Sequence, residues 1–269
     1  MKIKLNFIYI IIITFLISLL IFGYLLNQKS SASKKNEISS MMQQLKTRNT
    51  QIAEIQKNLF KNDKNINDLI NQKKINFKKV VNDKELAGFD NYSFSKYTTN
   101  DILFIGNRRA IGTGYIDFYN KDKKLLLATY DGIFAYSEID NLINFQKINS
   151  NINSLIKYEK FYLHEQYGIK DIFIDKDTLY VAYIGNKKDN CYDLKIITSK
   201  LSETYLDFQL FYQTSNCVDK NNNHGFWAHQ GAGGRITKID NFHLLFTTGD
   251  FRNRPLAQNK ESNFGKILK

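Results

Sequence analysis

The chain contains a single proline, and neither proline nor glycine occurs between Lys29 and Leu86. With only two cysteines, Cys191 and Cys217, it can form at most one internal disulfide, and no CxxC metal spacing exists. A glycine-rich phosphate loop and a serine-nucleophile elbow are also missing, which excludes the corresponding nucleotide-binding and hydrolase signatures. Acidic residues are scarce at the start: residues 1–80 hold 14 Lys/Arg against 4 Asp/Glu, whereas residues 81–269 hold 24 against 22. The net charge of +12 therefore belongs to an N-terminal arm, and the rest is nearly neutral. A nucleic-acid-binding fold carries its basic stripe on the fold itself, so no nucleic-acid partner is expected.

What is present begins with Phe7–Leu26, twenty residues without a charge, after Lys2 and Lys4. That length spans a bilayer core as a helix. An uncleaved signal anchor over residues 1–30 is expected; the alternative is a cleaved signal peptide, with Ser31-Ala32-Ser33 as the small-residue site. From Ile38 a heptad follows: Ile38, Leu45, Ile52, Leu59 and Ile66 share one position. Met41, Ile55 and Leu69 share a second, which Arg48 and Asn62 interrupt. A strict 3.5-residue seam predicts a helical, coiled-coil-like stalk over residues 31–88, with homo-oligomerisation as its consequence. The other reading is one amphipathic helix lying along the membrane or the domain.

Past Asn91 the pattern changes to short β-type runs, and residues 89–269 read as mainly β. Leu125–Tyr130 and Ile133–Ser137 flank Asp131-Gly132, a pair suited to a two-residue type I′ turn. Asp171–Asp175 and Thr178–Tyr183 flank Lys176-Asp177, and Arg235–Ile239 and His243–Thr248 flank Asp240-Asn241. Apolar hairpins recurring at intervals of about 50–65 residues suggest propeller blades, with a sandwich as the alternative. Leu194–Leu201 and Leu206–Gln213 read as strands about a Ser202–Tyr205 turn. Partners across that turn have residue numbers totalling 407 or 408, and those of Cys191 and Cys217 total 408. The two thiols thus fall opposite each other, and a disulfide is expected in place of two free cysteines. It implies an oxidising compartment and places the C-terminal domain on the periplasmic or extracytoplasmic side.

The last forty residues carry a connected set of features: His229, then Gly234-Arg235-Ile236, a hairpin ending in Thr248-Gly249-Asp250, Arg252-Asn253, Leu256-Ala257-Gln258, and Gly265-Lys266-Ile267-Leu268. In this order they resemble the soluble glucose/sorbosone dehydrogenase family, six-bladed β-propeller enzymes that use pyrroloquinoline quinone with calcium. The resemblance implies oxidation of an aldose at its anomeric carbon. His229 would be the base for the hydroxyl proton, Gln230, Asp250, Arg252 and Asn253 would line the sugar pocket, and the quinone would accept the hydride. A histidine suits the first role because its pKa lies near neutrality.

Residues 90–269 hold about three blades, so the expectation is an incomplete propeller, part of a longer protein and inactive alone. The residues that hold the quinone in the family lie in later blades, so no cofactor residue is expected here. The segment from His229 to Arg235 is about two residues longer than in the family; either its glycines bulge or His229 points elsewhere, with His224 as a rival. His164 and His243 read as ordinary residues. Asp219, Asn221 and Asn223 mimic a calcium loop, but His224 stands where glycine is needed and Gln230 where a bidentate glutamate is needed, so a polar loop and no metal site are expected. The alternative function is a non-catalytic propeller on a stalk that binds a glycan or protein partner.

Overall fold

The computed structural model describes residues 34–86, 89–101, 114–120, 123–158, 160 and 166–269. Phe7–Leu26 and His164 lie outside them. Among the described residues no helix is long and apolar enough to cross a membrane. Two compact units, Met1–Gln56 and Lys57–Lys269, make up the chain.

Helix α1 covers residues 34–62. Its heptad residues Ile38, Met41, Leu45, Ile52, Ile55 and Leu59 are all more than half exposed. Asp63 ends it. This residue is non-helical, and its Oδ1 accepts the Ile66 N–H at 3.3 Å, capping helix α2 (Lys64–Asn71). The last two heptad residues, Ile66 and Leu69, are therefore not on the exposed stripe. They are buried with Ile75, Ile133, Ala135 and Phe145 in a small core of the second unit. The helix expected to reach residue 88 stops at Asn71. Strands β1 (Lys74–Asn76) and β2 (Lys78–Leu86) follow, and β2 pairs with β3 (Phe89–Thr98) in a separate ribbon. The absence of proline and glycine permitted a helix there without requiring one.

The first large sheet has the order β1-β7-β6-β5-β4, from β4 (Gly114–Tyr119), β5 (Lys124–Thr129), β6 (Phe134–Glu138) and β7 (Asn144–Ser150). Its alternation sorts side chains between two cores. Leu126, Ala128, Phe134 and Ile148 enter the main cluster, whereas Ala135 and Phe145 face α2. The β5–β6 connection is a three-residue loop, not the expected two-residue turn. Thr129 N–H donates to Ile133 O at 2.9 Å around Tyr130-Asp131-Gly132, and only Gly132 takes a positive φ, 83°. A type I turn followed by a left-handed glycine is the usual three-residue solution.

The second sheet runs β12-β10-β9-β8, from β8 (Gly168–Asp175), β9 (Thr178–Lys188), β10 (Cys191–Lys200) and β12 (Gln209–Gln213), with β13 (Val218–Asp219) also on β10. Leu179, Val181, Ala182, Tyr183 and Ile184 are all buried in the main cluster, because this sheet is covered on both faces. The Lys176-Asp177 turn forms as expected, with Asp175 opposite Thr178 and Lys176 at φ 54°. The pairing of β10 with β12 also follows the expected register, Lys195 opposite Gln213 and Ile197 opposite Leu210. Between them, however, the chain is not a tight turn: β11 (Tyr205–Leu206) leaves the second sheet and pairs in parallel with Asn149–Ser150 of β7. Cys191 and Cys217 form a disulfide with their Cα atoms 5.4 Å apart.

The third sheet is β14 (Gly233–Lys238), β15 (Leu244–Thr248) and β16 (Lys266–Leu268). Its hairpin closes through Asp240, whose Oδ1 accepts the Phe242 and His243 N–H groups at 2.8 and 2.9 Å. His243 belongs to this turn and not to the strand, and its Nδ1 lies 2.8 Å from Asp240 Oδ2. Successive sheets meet through their first strands, and the same device joins each pair. Asp117 Oδ2 on β4 accepts Ile174 N–H at 2.6 Å, and Asp171 Oδ2 on β8 accepts Ile236 N–H at 2.8 Å.

Candidate active site

Two loops at one end of the third sheet hold the residues singled out from the sequence. The first precedes β14 and contains a helical turn, α3 (Ala228–Gly231), which carries His229 and Gln230; their side chains lie outside the described part. The second, residues 249–254, follows β15 and carries Asp250, Arg252 and Asn253. Backbone hydrogen bonds lace the loops together. Trp227 N–H donates to Phe251 O at 2.8 Å, Phe251 N–H to Gly231 O at 2.9 Å, and Gly249 N–H to Ala232 O at 2.6 Å.

Glycine makes that approach feasible. A Cβ on Gly249 would collide with the Gly231 carbonyl oxygen, and Gly233 combines a φ of 73° with a Cβ position 2.5 Å from Gly249 N. The register of β14 against β15 slips between Gly233 and Ile236, with Gly234 at φ 108°. The strand therefore carries a glycine bulge within the His229–Arg235 segment.

The second loop is held in an unusual backbone conformation. Phe251 and Arg252 are both left-handed, at φ 53° and 72°. Left-handed non-glycine residues are sparsely populated and persist only where the surroundings fix them. Here Phe251 is fully buried, edge-on to Phe264 at 5.3 Å and stacked on Phe226 at 6.0 Å. Asp250 Oδ1 accepts Arg252 N–H at 2.8 Å. Arg252 projects outward, its guanidinium 4.4 Å from the Trp227 ring centroid. Asn253 is 91% buried, and its Oδ1 has no hydrogen-bond partner.

Arg235 stands at the strand start, its Nη1 3.4 Å from Asp171 Oδ1, away from these loops. Burial raises the Asp171 carboxyl above the ordinary carboxylate range, opposed by the Ile236 N–H and Arg235. Tyr115 beside it is pushed up to about 12, by burial first and the Asp171 charge second. The Asp219–Asn223 segment turns out of β13 on its own hydrogen bonds. Asp219 Oδ1 accepts Asn221 N–H at 2.8 Å, and the Asn222 amide donates to Asp219 O and Gly225 O.

Sequence reasoning left out two neighbours of the site, Trp227 and Arg254. The alternation Arg252-Asn253-Arg254 beside the only tryptophan was the available signal. Residues 249–254 offer no carboxylate cluster for a calcium ion. Asp250 is the one carboxylate of residues 249–254, and among the described residues no three His, Cys, Asp or Glu side chains cluster to hold a cation.

No curated protein sequence matches the chain. Solved structures similar to it include a glucose dehydrogenase at 14% identity (57% of this chain, 42% of that chain, TM-score 0.45). A second glucose dehydrogenase matches at 14% identity (59% and 47%, TM-score 0.46). The apo form of the soluble aldose sugar dehydrogenase from Escherichia coli matches at 16% identity (57% and 42%, TM-score 0.43). The chain spans less than half the length of each of these proteins. The Glucose / Sorbosone dehydrogenase family model matches residues 121–269. That match covers more than half of the chain, which therefore belongs to the glucose/sorbosone dehydrogenase family.

Proposed function

We propose that this chain contributes the base and sugar-contact side of a quinone-dependent aldose dehydrogenase, built on about three blades of a six-bladed propeller. The observation that carries the reading is the lacing of the His229 turn to the Asp250–Asn253 loop within the family match. His229 takes the proton of the anomeric hydroxyl. Gln230, Asp250, Arg252 and Asn253 bind and orient the sugar. Pyrroloquinoline quinone and calcium are the family's cofactors, and the quinone supplies the oxidant. No residue of this chain is assigned to holding them, and only the proton half of the chemistry is carried here.

The same proposal has Phe7–Leu26 as a signal anchor over residues 1–30, and residues 31–62 as a stalk that self-associates. Residues 89–269 form the catalytic part on the extracytoplasmic side. The Cys191–Cys217 disulfide supports that orientation, because such bonds persist in oxidising compartments.

The test is His229→Ala in the full-length protein loaded with quinone and calcium. Loss of the general base lowers aldose oxidation by about a hundredfold to ten-thousandfold while quinone binding is retained. Full activity in the variant would put the base elsewhere. A full-length protein that binds glycans without oxidising any aldose would instead be the non-catalytic propeller.

A further inference from the structure

We propose that the sugar this site accepts carries a carboxylate, as a uronic acid does, and that Arg252 and Arg254 receive it; the inference rests on the reading of the 249–254 loop as the sugar-contact loop. His224, Arg252, Arg254 and Pro255 line a cavity of about 290 Å³ that no acidic side chain enters. Neither arginine is ion-paired to a carboxylate among the described residues. Lys124, Lys238 and Arg235, by comparison, each have an acidic partner.

Arg252 is also held in place before any ligand arrives. Its stem lies along Gly225, with Cδ 3.6 Å from where a Cβ would be, and its guanidinium lies against Trp227 at 4.4 Å. The backbone beneath is fixed by the Asp250 carboxylate and by two consecutive left-handed residues. A guanidinium with one face on an aromatic ring keeps its edge N–H groups free. That edge matches the two oxygens of a carboxylate. Pro255 in the cavity wall, and Trp227, 47% exposed behind the Arg252 guanidinium, add the apolar faces that a pyranose ring needs. A small inorganic anion uses only the arginines; an acidic sugar uses the whole arrangement.

Trp227 is the only tryptophan of this chain, and the Arg252 guanidinium lies against its ring. The full-length protein is titrated with D-glucuronate, D-glucose, glucose 6-phosphate, acetate and pyrroloquinoline quinone, and the heat is followed by calorimetry. Glucuronate is expected to bind at least about tenfold more tightly than glucose and more tightly than acetate or the phosphorylated sugar, with a preference that shrinks as salt is raised. In Arg254→Gln and in Arg252→Gln, each checked for a native circular dichroism spectrum, the ratio of glucuronate to glucose affinity is expected to fall to about two. Equal affinity for glucose and glucuronate would overturn the acidic-sugar inference while leaving the sugar site standing. Binding of acetate as tight as that of glucuronate, tighter binding of glucose 6-phosphate, or quinone binding alone at this pocket, would overturn it too. If no sugar of either kind binds, the underlying reading of the loop fails.

Discussion

Replacing Asp171 by alanine removes the acceptor that ties the second sheet to the third. The Ile236 N–H that it receives at 2.8 Å is buried. An unsatisfied buried donor costs about 1–3 kcal/mol. The Arg235 contact adds little, because its side chain is 75% exposed. Releasing a buried charge offsets part of the loss, which leaves about 1–2 kcal/mol, or a Tm lowered by about 2–8 °C in a unit of this size. Asp171→Asn keeps an oxygen for the Ile236 N–H and is expected to stay within about 0.5 kcal/mol of the wild type. The pH dependence separates the two effects further. Burial raises the Asp171 pKa, so the folded state binds that proton more readily than the unfolded chain. Stability from this group is then greatest below the ordinary carboxylate range and declines as pH rises through the raised value. The Asn variant does not titrate, so it should gain on the wild type between about pH 4 and pH 7. Urea unfolding followed by circular dichroism at both pH values measures all three proteins. An Asn variant as unstable as the Ala variant would show that charge, not the acceptor, holds the sheets together, and the reasoning would fail.

Replacing both cysteines by serine opens a loop with a sequence separation of 26 residues. The chain-entropy relation puts this at about 3.5 kcal/mol, and thermal melting of the double variant checks it. Lys147 donates to Leu69 O and Ile70 O at 2.8 and 2.6 Å, closing the C-terminal end of α2. Lys147→Met should cost about 1–2 kcal/mol in urea unfolding, and an unchanged midpoint would remove that role. A peptide spanning Ser33–Asn62 should be helical with concentration-dependent melting, because six apolar heptad residues are exposed along α1. A concentration-independent monomer by sedimentation would leave the single-helix reading.

The strands were legible wherever a run of β-branched and aromatic residues met a turn with its own chemistry. Lys176-Asp177 and Asp240-Asn241 mark their hairpins, and the β10–β12 register follows from centring the two strands on Ser202–Tyr205. The pairing of Tyr205–Leu206 with a strand more than fifty residues earlier was not legible, since two residues carry no periodicity. For the same reason Ser202–Tyr205 read as a simple turn. The end of the helix at Asn71 was hidden because the heptad continues through Asp63 into Ile66 and Leu69. Those two positions are apolar for a different purpose, contact with Ile75 and Phe145. In the site, the glycine bulge was legible as a possibility because a run of glycines can take the positive φ values it needs. The left-handed pair Phe251-Arg252 was not, because the Asp250 turn alone does not require it and the buried contacts of Phe251 complete it.

The parallel strap of Tyr205–Leu206 on β7 sets an order of assembly. Until β7 lies in place beside β6, the chain leaving β10 has no edge to dock on, and β12 approaches its register through a slack connection. During synthesis the first sheet emerges before the second, so a growing chain meets these requirements in sequence. A chain refolded from denaturant has no such schedule. It can pair β10 with β12 first, and the strap must then be drawn across a sheet that is already formed. Refolding in vitro should therefore be slower and more heterogeneous than folding on the ribosome, with the delay located at residues 201–208.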